Sequence, residues 1–144
     1  MKFVTEILKA KGHDVWTVSS DSTVYDALQM MADKNVGALM VVEGDRLAGV
    51  FSERDYARKI ILKGKASKDT LVSEIMSTEV VWVRPDQTVE VCMNLMTNKR
   101  IRHLAVLEEG RLVGVISIGD IVKAIMSEQE FTIQQLEHYI TGDR

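Results

Sequence analysis

The sequence predicts an α+β fold built from two copies of a strand-helix-strand-strand-helix unit, with short helices before and after the pair. Residues 15–61 align without a gap with residues 80–126, and 17 of the 47 pairs are identical. The chain has 144 residues, of which 46% are hydrophobic and 27% charged, so two small repeats can bury a common core. Two copies are too few for a solenoid, and we expect a closed pair with pseudo-two-fold symmetry.

Each copy opens with a short strand and an amphipathic helix. Residues 15–18 form an extended apolar run, and Thr23 is a suitable cap for a helix with apolar residues at positions 24, 27, 28 and 31. Thr88 takes the same place in the second copy. Cys92 then corresponds to Ala27, which predicts a buried small side chain and not a reactive thiol.

Two further strands and a second helix complete each copy. Residues 38–43 and 47–52 are apolar, β-rich runs, and the turn sequence Glu-Gly-Asp-Arg between them predicts a hairpin. Ser52 then opens a helix that we expect to run toward Gly64. The second copy repeats the hairpin at Glu109 and Gly110, and its second helix is expected from Asp120.

Short leaders precede both copies, and a last helix follows them. Residues 5–8 resemble residues 73–76, so the predicted domains are residues 5–66 and 73–128. Ser127 and Glu130 form a capping box, which predicts a separate helix over residues 128–141 that Gly142 ends. Its apolar face covers the pair or meets a second subunit. The residues of that face are Phe131, Ile133, Leu136, Tyr139 and Ile140.

Composition excludes several functional classes. The net charge of −3 argues against nucleic-acid binding, and no apolar run is long enough to cross a membrane. The N-terminal residues lack the core of a signal peptide, so we expect a cytoplasmic protein. A single cysteine and three scattered histidines give neither a disulfide framework nor zinc spacing. No P-loop, dinucleotide fingerprint or catalytic set is evident, so no catalytic residue or metal site is predicted.

One recurring element carries chemistry. Gly-Val-Phe-Ser-Glu-Arg-Asp at 49–55 and Gly-Val-Ile-Ser-Ile-Gly-Asp at 114–120 each place a serine at a strand end and an aspartate in the next helical turn. The helix N-terminus and the serine hydroxyl suit a phosphate, and the carboxylate can accept both hydroxyls of a ribose. Ser-x-x-Asp is also a helix capping box that needs no ligand, and this alternative stays open.

The five cations between residues 58 and 68 have two interpretations. They belong to a solvated linker, or some of them contact the phosphates of a ligand. The residues are Arg58, Lys59, Lys63, Lys65 and Lys68.

Each copy resembles a cystathionine-β-synthase (CBS) motif, and the tandem resembles a Bateman module. The motifs that carry the resemblance are Val-Arg-Pro-Asp-Gln-Thr-Val at 83–89, Arg-Ile-Arg-His-Leu-Ala-Val at 100–106, Gly-Arg-Leu-Val-Gly-Val-Ile-Ser at 110–117 and Ser-Glu-Arg-Asp at 52–55. Residues 53–59 and the tail at 135–140 look like a stand-alone bacterial subgroup of the signal-transduction type, which also resembles mitochondrial plant CBS-pair proteins.

The resemblance implies two clefts between the repeats that bind adenosyl ligands, namely AMP, ADP, ATP, NAD(H) or S-adenosylmethionine. By the family pattern, the ribose is held by Asp55 and Asp120, and the phosphate by Ser52 and Ser117. The adenine is flanked through backbone contacts by Val15, Val80 and Val81. Charge at the phosphate is added by Arg54, Arg102 and His103.

The two sites are not expected to be equivalent. Where the second copy has Arg102 and His103, the first has Gly37 and Ala38; where the first has Arg54, the second has glycine. Arg102 as a plain surface residue and His103 as a core histidine remain alternatives.

The resemblance therefore predicts a non-enzymatic sensor with an adenine nucleotide as regulatory ligand and no required cofactor. It implies a face-to-face homodimeric disc and an unidentified regulated protein. A structural scaffold with empty clefts is the alternative, and an enzyme that uses NAD or ATP ranks last.

Overall fold

The computed structural model describes residues 2–141, and it describes side chains as far as residue 138. Two three-stranded sheets with helices around them confirm the predicted α+β class. In chain order the elements are α1 (Val4–Lys11), β1 (Thr17–Ser19), α2 (Val24–Lys34), β2 (Ala38–Glu43), β3 (Arg46–Ser52), α3 (Glu53–Tyr56) with a π-helical turn (Ala57–Ile61), α4 (Val72–Ile75), β4 (Trp82–Val83), α5 (Val89–Lys99), β5 (His103–Glu108), β6 (Arg111–Ser117) and α6 (Ile118–Thr141).

The two sheets have the same strand order, and their parallel strand pairs have the same register. In the first, β1 lies parallel to β2 and β2 antiparallel to β3. In the second, the order is β4, β5, β6 with β4 parallel to β5. Thr17 pairs with Met40, and Trp82 pairs with Ala105, which are equivalent positions in the sequence repeat. The predicted repeat of strands and helices is therefore confirmed.

The first long helix of each copy begins and ends in the same way. The side-chain oxygen of Thr23 accepts the amide of Asp26 at 3.1 Å, and that of Thr88 accepts the amide of Val91 at 3.3 Å. Both threonine caps agree with the sequence analysis. Both helices end in a left-handed residue, Asn35 at φ 55° and Arg100 at φ 54°, so the chain turns alike into β2 and β5.

The chain forms two compact units that do not coincide with two continuous segments. The first-copy unit comprises residues 14–81 and 109–113. The second-copy unit comprises the described residues up to 13, residues 82–108 and the described residues from 114 onward. Each leader therefore packs in the unit of the other copy.

Main-chain hydrogen bonds hold the first leader in the second-copy unit. The amide of Val4 donates to the carbonyl of Gln87 at 2.9 Å, and the amide of Val89 donates to the carbonyl of Lys2 at 2.9 Å. These bonds fix α1 against the segment that leads into α5.

The second leader is fixed equally firmly in the first-copy unit. Val50 and Ser77 exchange two main-chain hydrogen bonds of 2.9 Å each. Two fully or nearly buried residues of α4 belong to the apolar core of this unit. That core consists of Val18, Val24, Ala27, Met31, Leu39, Val41, Phe51, Ile60, Val72 and Ile75.

Equivalent glycines allow each leader to approach a central strand closely. A Cβ atom on Gly49 in β3 would lie 2.6 Å from the carbonyl oxygen of Ser77, and one on Gly114 in β6 would lie 2.6 Å from Cδ2 of Leu8. Any larger residue at either position would push the leader away from the strand.

The last helix is longer than the sequence indicated. The predicted start at Ser127 is wrong, because α6 runs without interruption from Ile118 to Thr141 and Ser127 lies inside it. After Gly119 the segment has no proline or glycine that would break a helix, so the capping-box pattern is not used. The predicted stop at Gly142, and the side chains of Tyr139 and Ile140, lie outside the described residues.

The contact between Leu8 and Gly114 predicts non-additive stabilities. Leu8→Ala should cost about 2–5 kcal/mol of unfolding free energy and Gly114→Ala about 1–3 kcal/mol. The double variant should cost clearly less than the sum, because the alanine at 8 makes room for the new methyl group. Urea denaturation of all four proteins measures this coupling.

The control is Gly114→Ala combined with Ile7→Ala, since Ile7 is also buried in α1 but does not contact Gly114 closely. This pair should be additive. An additive result for Leu8 and Gly114 as well would contradict the packing of the first leader on β6.

Candidate functional site

The candidate site is the corner at which a strand passes into a helix, and it occurs once in each unit. Ser52 is the last residue of β3, and Asp55 lies in the first turn of α3. Ser117 is the last residue of β6, and Asp120 lies in the first turn of α6. We refer to these as the first-copy corner and the second-copy corner.

Reciprocal hydrogen bonds tie serine to aspartate in both corners. The amide of Ser52 donates to Oδ2 of Asp55 at 3.0 Å, and the amide of Asp55 donates to Oγ of Ser52 at 3.2 Å. The same two bonds in the second-copy corner measure 2.9 Å for Ser117 to Asp120 and 3.2 Å in the reverse direction. Each corner is thus a complete capping box that fixes the carboxylate in place.

A further main-chain bond closes each corner. The amide of Glu53 donates to the carbonyl of Gly37 at 3.1 Å, and the amide of Ile118 donates to the carbonyl of Arg102 at 2.9 Å. The first and third amides of each helix are therefore already used inside the protein. The helix start offers a phosphate fewer donors than the sequence analysis assumed.

A lysine contacts the carboxylate in both corners. Nζ of Lys11, at the end of α1, lies 2.7 Å from Oδ2 of Asp120 and donates to the carbonyl of Val115 at 2.8 Å. Nζ of Lys59 lies 3.4 Å from Oδ1 of Asp55 and donates to the carbonyl of Ile75 at 2.9 Å.

Sequence reasoning missed Lys11, because it lies 109 residues from Asp120. The only signal in the sequence was the alternation of charged and apolar residues in the leader, which indicates that Lys11 is on a polar face but not which residue it contacts. Lys59 is one of the five cations between residues 58 and 68, for which the sequence allowed either a solvated linker or a contact with ligand phosphates. Its ion pair with Asp55 corresponds to neither interpretation.

Opposing effects act on the carboxyl group of Asp120. Burial raises its pKa, but the hydrogen bonds from Lys11 and from the amide of Ser117 outweigh burial and hold the pKa below its ordinary value. The side chain is 20% exposed, so it stays accessible to a ligand. Asp120 is therefore a firmly ionised acceptor at neutral pH.

The remaining predicted ligand residues are divided between the units. Val15, Val80 and Val81 belong to the first-copy unit and are half-buried, and Arg54 in the same unit is exposed. In the second-copy unit Arg102 is exposed and His103 is half-buried. Their contacts with a ligand stay predictions.

The described residues offer neither an exposed thiol nor a metal-binding cluster. Cys92 is fully buried, and burial raises the pKa of its thiol to about 11, which agrees with the predicted inert side chain. Within residues 2–141, no three histidine, cysteine, aspartate or glutamate side chains come together as a metal-binding group. No helix in the described part of the chain is long and apolar enough to cross a membrane.

A surface cavity of about 290 Å³ lies beside the first-copy corner but does not contain its serine or carboxylate. It is lined by the end of α2 and the residues that follow, together with one side chain of the helix start. These residues are Leu28, Met31, Ala32, Asn35, Val36, Gly37 and Glu53.

The chain resembles known proteins over nearly its whole length. The family model described as CBS domain matches residues 4–62 and 72–127. A CBS domain-containing mitochondrial protein of Arabidopsis thaliana, CBSX3, is 42% identical, over 96% of this chain and 72% of its own. A solved protein with CBS domains from Burkholderia ambifaria, provisionally named a signal-transduction protein, is 50% identical with a TM-score of 0.86, over 89% of this chain and 96% of its own.

Two further solved structures bear on ligands and assembly. A hexameric CBS-CP12 protein from bloom-forming cyanobacteria is 32% identical with a TM-score of 0.74, over 85% of this chain and 70% of its own. The CBS domain pair of protein MJ0100, solved with 5′-methylthioadenosine and S-adenosylmethionine, shares the fold with a TM-score of 0.79. Its identity is 22%, over 89% of this chain and 98% of that one.

The lowered pKa of Asp120 predicts how acid affects stability. A carboxyl group whose pKa is lower in the folded protein than in the unfolded one stabilises the fold above its unfolded pKa, and this contribution is lost as the pH falls through the folded value. Wild type should exceed Asp120→Asn in unfolding free energy by about 1 kcal/mol at pH 7. The difference should shrink below about pH 4, as urea denaturation between pH 3 and pH 7 can show.

Asp45→Asn is the matched control, because Asp45 is an exposed carboxylate in the β2–β3 turn. Its difference from wild type should stay small at every pH. A difference for Asp120→Asn that is independent of pH would contradict the assigned ion pair.

Proposed function

The chain belongs to the CBS-domain family, and on this premise we propose that it is a non-enzymatic sensor of adenosine-containing ligands such as AMP, ADP, ATP or NAD(H). The proposed binding groups are the two corners, with Asp55 and Asp120 as acceptors for ribose hydroxyls and Ser52 and Ser117 near the phosphate. The observation that carries the proposal is the duplication of a half-buried carboxylate, held by a capping box and contacted by a lysine, at equivalent places.

The polarity of the second-copy corner supports this assignment. Oδ2 of Asp120 accepts from the amide of Ser117 and from Nζ of Lys11, and its side chain is 20% exposed. A partly exposed carboxylate beside a fixed cation suits a ligand that carries both hydroxyls and an anion. Arg102 in the same unit is proposed to supply further positive charge, and His103 is proposed to lie beside it at the phosphate.

The remaining proposed contacts concern the base and the first-copy corner. Val15, Val80 and Val81 are proposed to flank the adenine through backbone contacts, and Arg54 to face the phosphate. The fold itself accepts such ligands, since the MJ0100 pair holds two adenosine derivatives. The proposal does not require a catalytic residue, a metal ion or a permanently bound cofactor.

Signalling follows if the ligand binds two arrangements of the protein with different affinity. A ligand shifts an equilibrium only by its differential affinity, for which 1–3 kcal/mol is roughly typical. The output is proposed to be a contact with a regulated protein or with a second copy of this chain. We propose a cytoplasmic location, and the name of the Arabidopsis relative makes a mitochondrial location the alternative.

An exposed apolar stripe on α6 supports a homodimer. Its positions recur at steps of four, four, seven and three residues, so they share one face of the helix. Each is at least 37% exposed in the single chain. The α6 stripe consists of Ile118, Val122, Met126, Ile133 and Leu136.

A ligand panel tests the proposed function. AMP, ATP, NAD and S-adenosylmethionine are added separately, and the unfolding temperature should rise with at least one of them, because a ligand of the folded state stabilises it by mass action. Calorimetric titration of that ligand should show a loss of affinity of at least about tenfold in Asp120→Asn or Asp55→Asn, since a charged hydrogen bond contributes about 1.5–3 kcal/mol.

Asp45→Asn should bind as wild type does. The absence of a shift with any ligand would favour the scaffold, for which the complete capping boxes already provide a structural reason. Ligand turnover by the purified protein would favour an enzyme. Binding that survives in both corner variants would contradict the carboxylate assignment.

A second prediction concerns the dimer. Met126→Glu combined with Leu136→Glu places two charges on the α6 stripe and should convert a dimer into monomers in sedimentation velocity at micromolar concentration. The sequence-based prediction that Phe131 shares this face is wrong, because in the continuous helix α6 it lies on the side opposite the stripe. Phe131 is 61% exposed, and Phe131→Glu should leave the dimer intact. A wild-type hexamer, or a dimer that tolerates the double variant, would refute the proposed assembly.

A further inference from the structure

We propose that Lys11 is a ligand-binding residue of the second-copy corner, and that it selects a nucleoside phosphate over the uncharged nucleoside. The inference rests on the proposed function and adds a residue to it. Lys11 belongs to the leader of the first copy, and the resemblance to known motifs assigned it no role.

The contacts of Lys11 leave it able to bind a ligand. Its ammonium group has three N–H donors, of which one contacts Asp120 at 2.7 Å and one contacts the carbonyl of Val115 at 2.8 Å. The side chain is 34% exposed, so the remaining donor can reach a ligand oxygen. The carbonyl of Val115 holds the ammonium group at the corner in addition to Asp120.

The two corners differ in how the carboxylate is used. In Asp120 the amide of Ser117 and Nζ of Lys11 both contact Oδ2, and the lysine is hydrogen-bonded at 2.7 Å. In Asp55 the backbone amide and hydroxyl of Ser52 contact Oδ2, and Nζ of Lys59 lies farther away, 3.4 Å from Oδ1. The second-copy corner therefore has the closer pair of cation and carboxylate.

The two lysines are not copies of one another. At the offset of 68 residues that aligns the leaders, Lys11 corresponds to Glu79, a residue of opposite charge. At the offset of 65 residues that aligns the repeats, Lys59 corresponds to Ala124. A lysine inherited with the fold would occupy equivalent positions, whereas these reach equivalent carboxylates from different elements. The position shared by the two units is therefore the contact of a lysine with the carboxylate, not the place of the lysine in the repeat.

The chemistry of a nucleoside phosphate matches this pair of charges. Asp120 accepts hydroxyl protons of the sugar, and Lys11 donates to the anionic oxygens of the phosphate on the same molecule. A nucleoside without phosphate gains only the first interaction. Lys11 should thus contribute to the preference for the phosphate form and little to binding of the sugar and base.

The experiment isolates the second-copy corner in an Asp55→Asn background and compares AMP with adenosine by calorimetric titration. Lys11→Met should weaken AMP binding about tenfold and change adenosine binding by less than about twofold. Lys9→Met is the matched control, because it removes the same charge from an exposed position on the same helix. It should change neither affinity.

Lys11→Gln repeats the comparison with a neutral side chain that still donates to Val115, in case the methionine variant does not fold. An equal loss of AMP and adenosine binding, or unchanged AMP binding, would show that Lys11 only holds the leader in place and would overturn the inference alone. If the background protein and wild type bind neither AMP nor adenosine, the proposed function fails and this inference fails with it.

Discussion

The close approach of each leader to a glycine on a central strand determines how the rest of the molecule is arranged. Gly114 has no side chain, so Leu8 lies directly over β6, and Gly49 allows Ser77 to lie over β3 in the same way. A strand with a larger residue at these positions would hold the leader at a distance. Through these two contacts each leader packs on the other copy, so each compact unit includes a segment that is distant in sequence.

This exchange has a direct chemical consequence in the second-copy unit. Because Leu8 fixes α1 over β6, the last residue of α1, Lys11, reaches both the carbonyl of Val115 and the carboxylate of Asp120. The packing of one apolar side chain thus delivers a cation to the corner where a strand becomes a helix. The structural role and the proposed ligand-binding role meet in α1, so a variant of the leader has to be judged by stability and by ligand affinity together.

The corners show how a structural motif and a proposed binding site can share the same residues. The reciprocal bonds between serine and aspartate satisfy the helix start and need no ligand. They also hold the carboxylate in one orientation, and a fixed acceptor costs less ordering on binding than a mobile one. The corners differ in their lysine, which lies 2.7 Å from Oδ2 of Asp120 but 3.4 Å from Oδ1 of Asp55. This difference favours two unequal sites in the proposed sensor.

The sequence by itself determined the repeat, the order of strands and helices, the threonine caps and the two serine–aspartate corners. These features depend on contacts between residues a few positions apart, whose spacing is visible in the chain. Ser127 shows the limit of such patterns, because a capping box inside a strong helix-forming segment stays helical. The leader exchange and the ion pair of Lys11 with Asp120 were decided only by the tertiary structure. The pair spans 109 positions, and no local spacing or charge pattern encodes which distant carboxylate a lysine will meet once apolar packing has placed its helix.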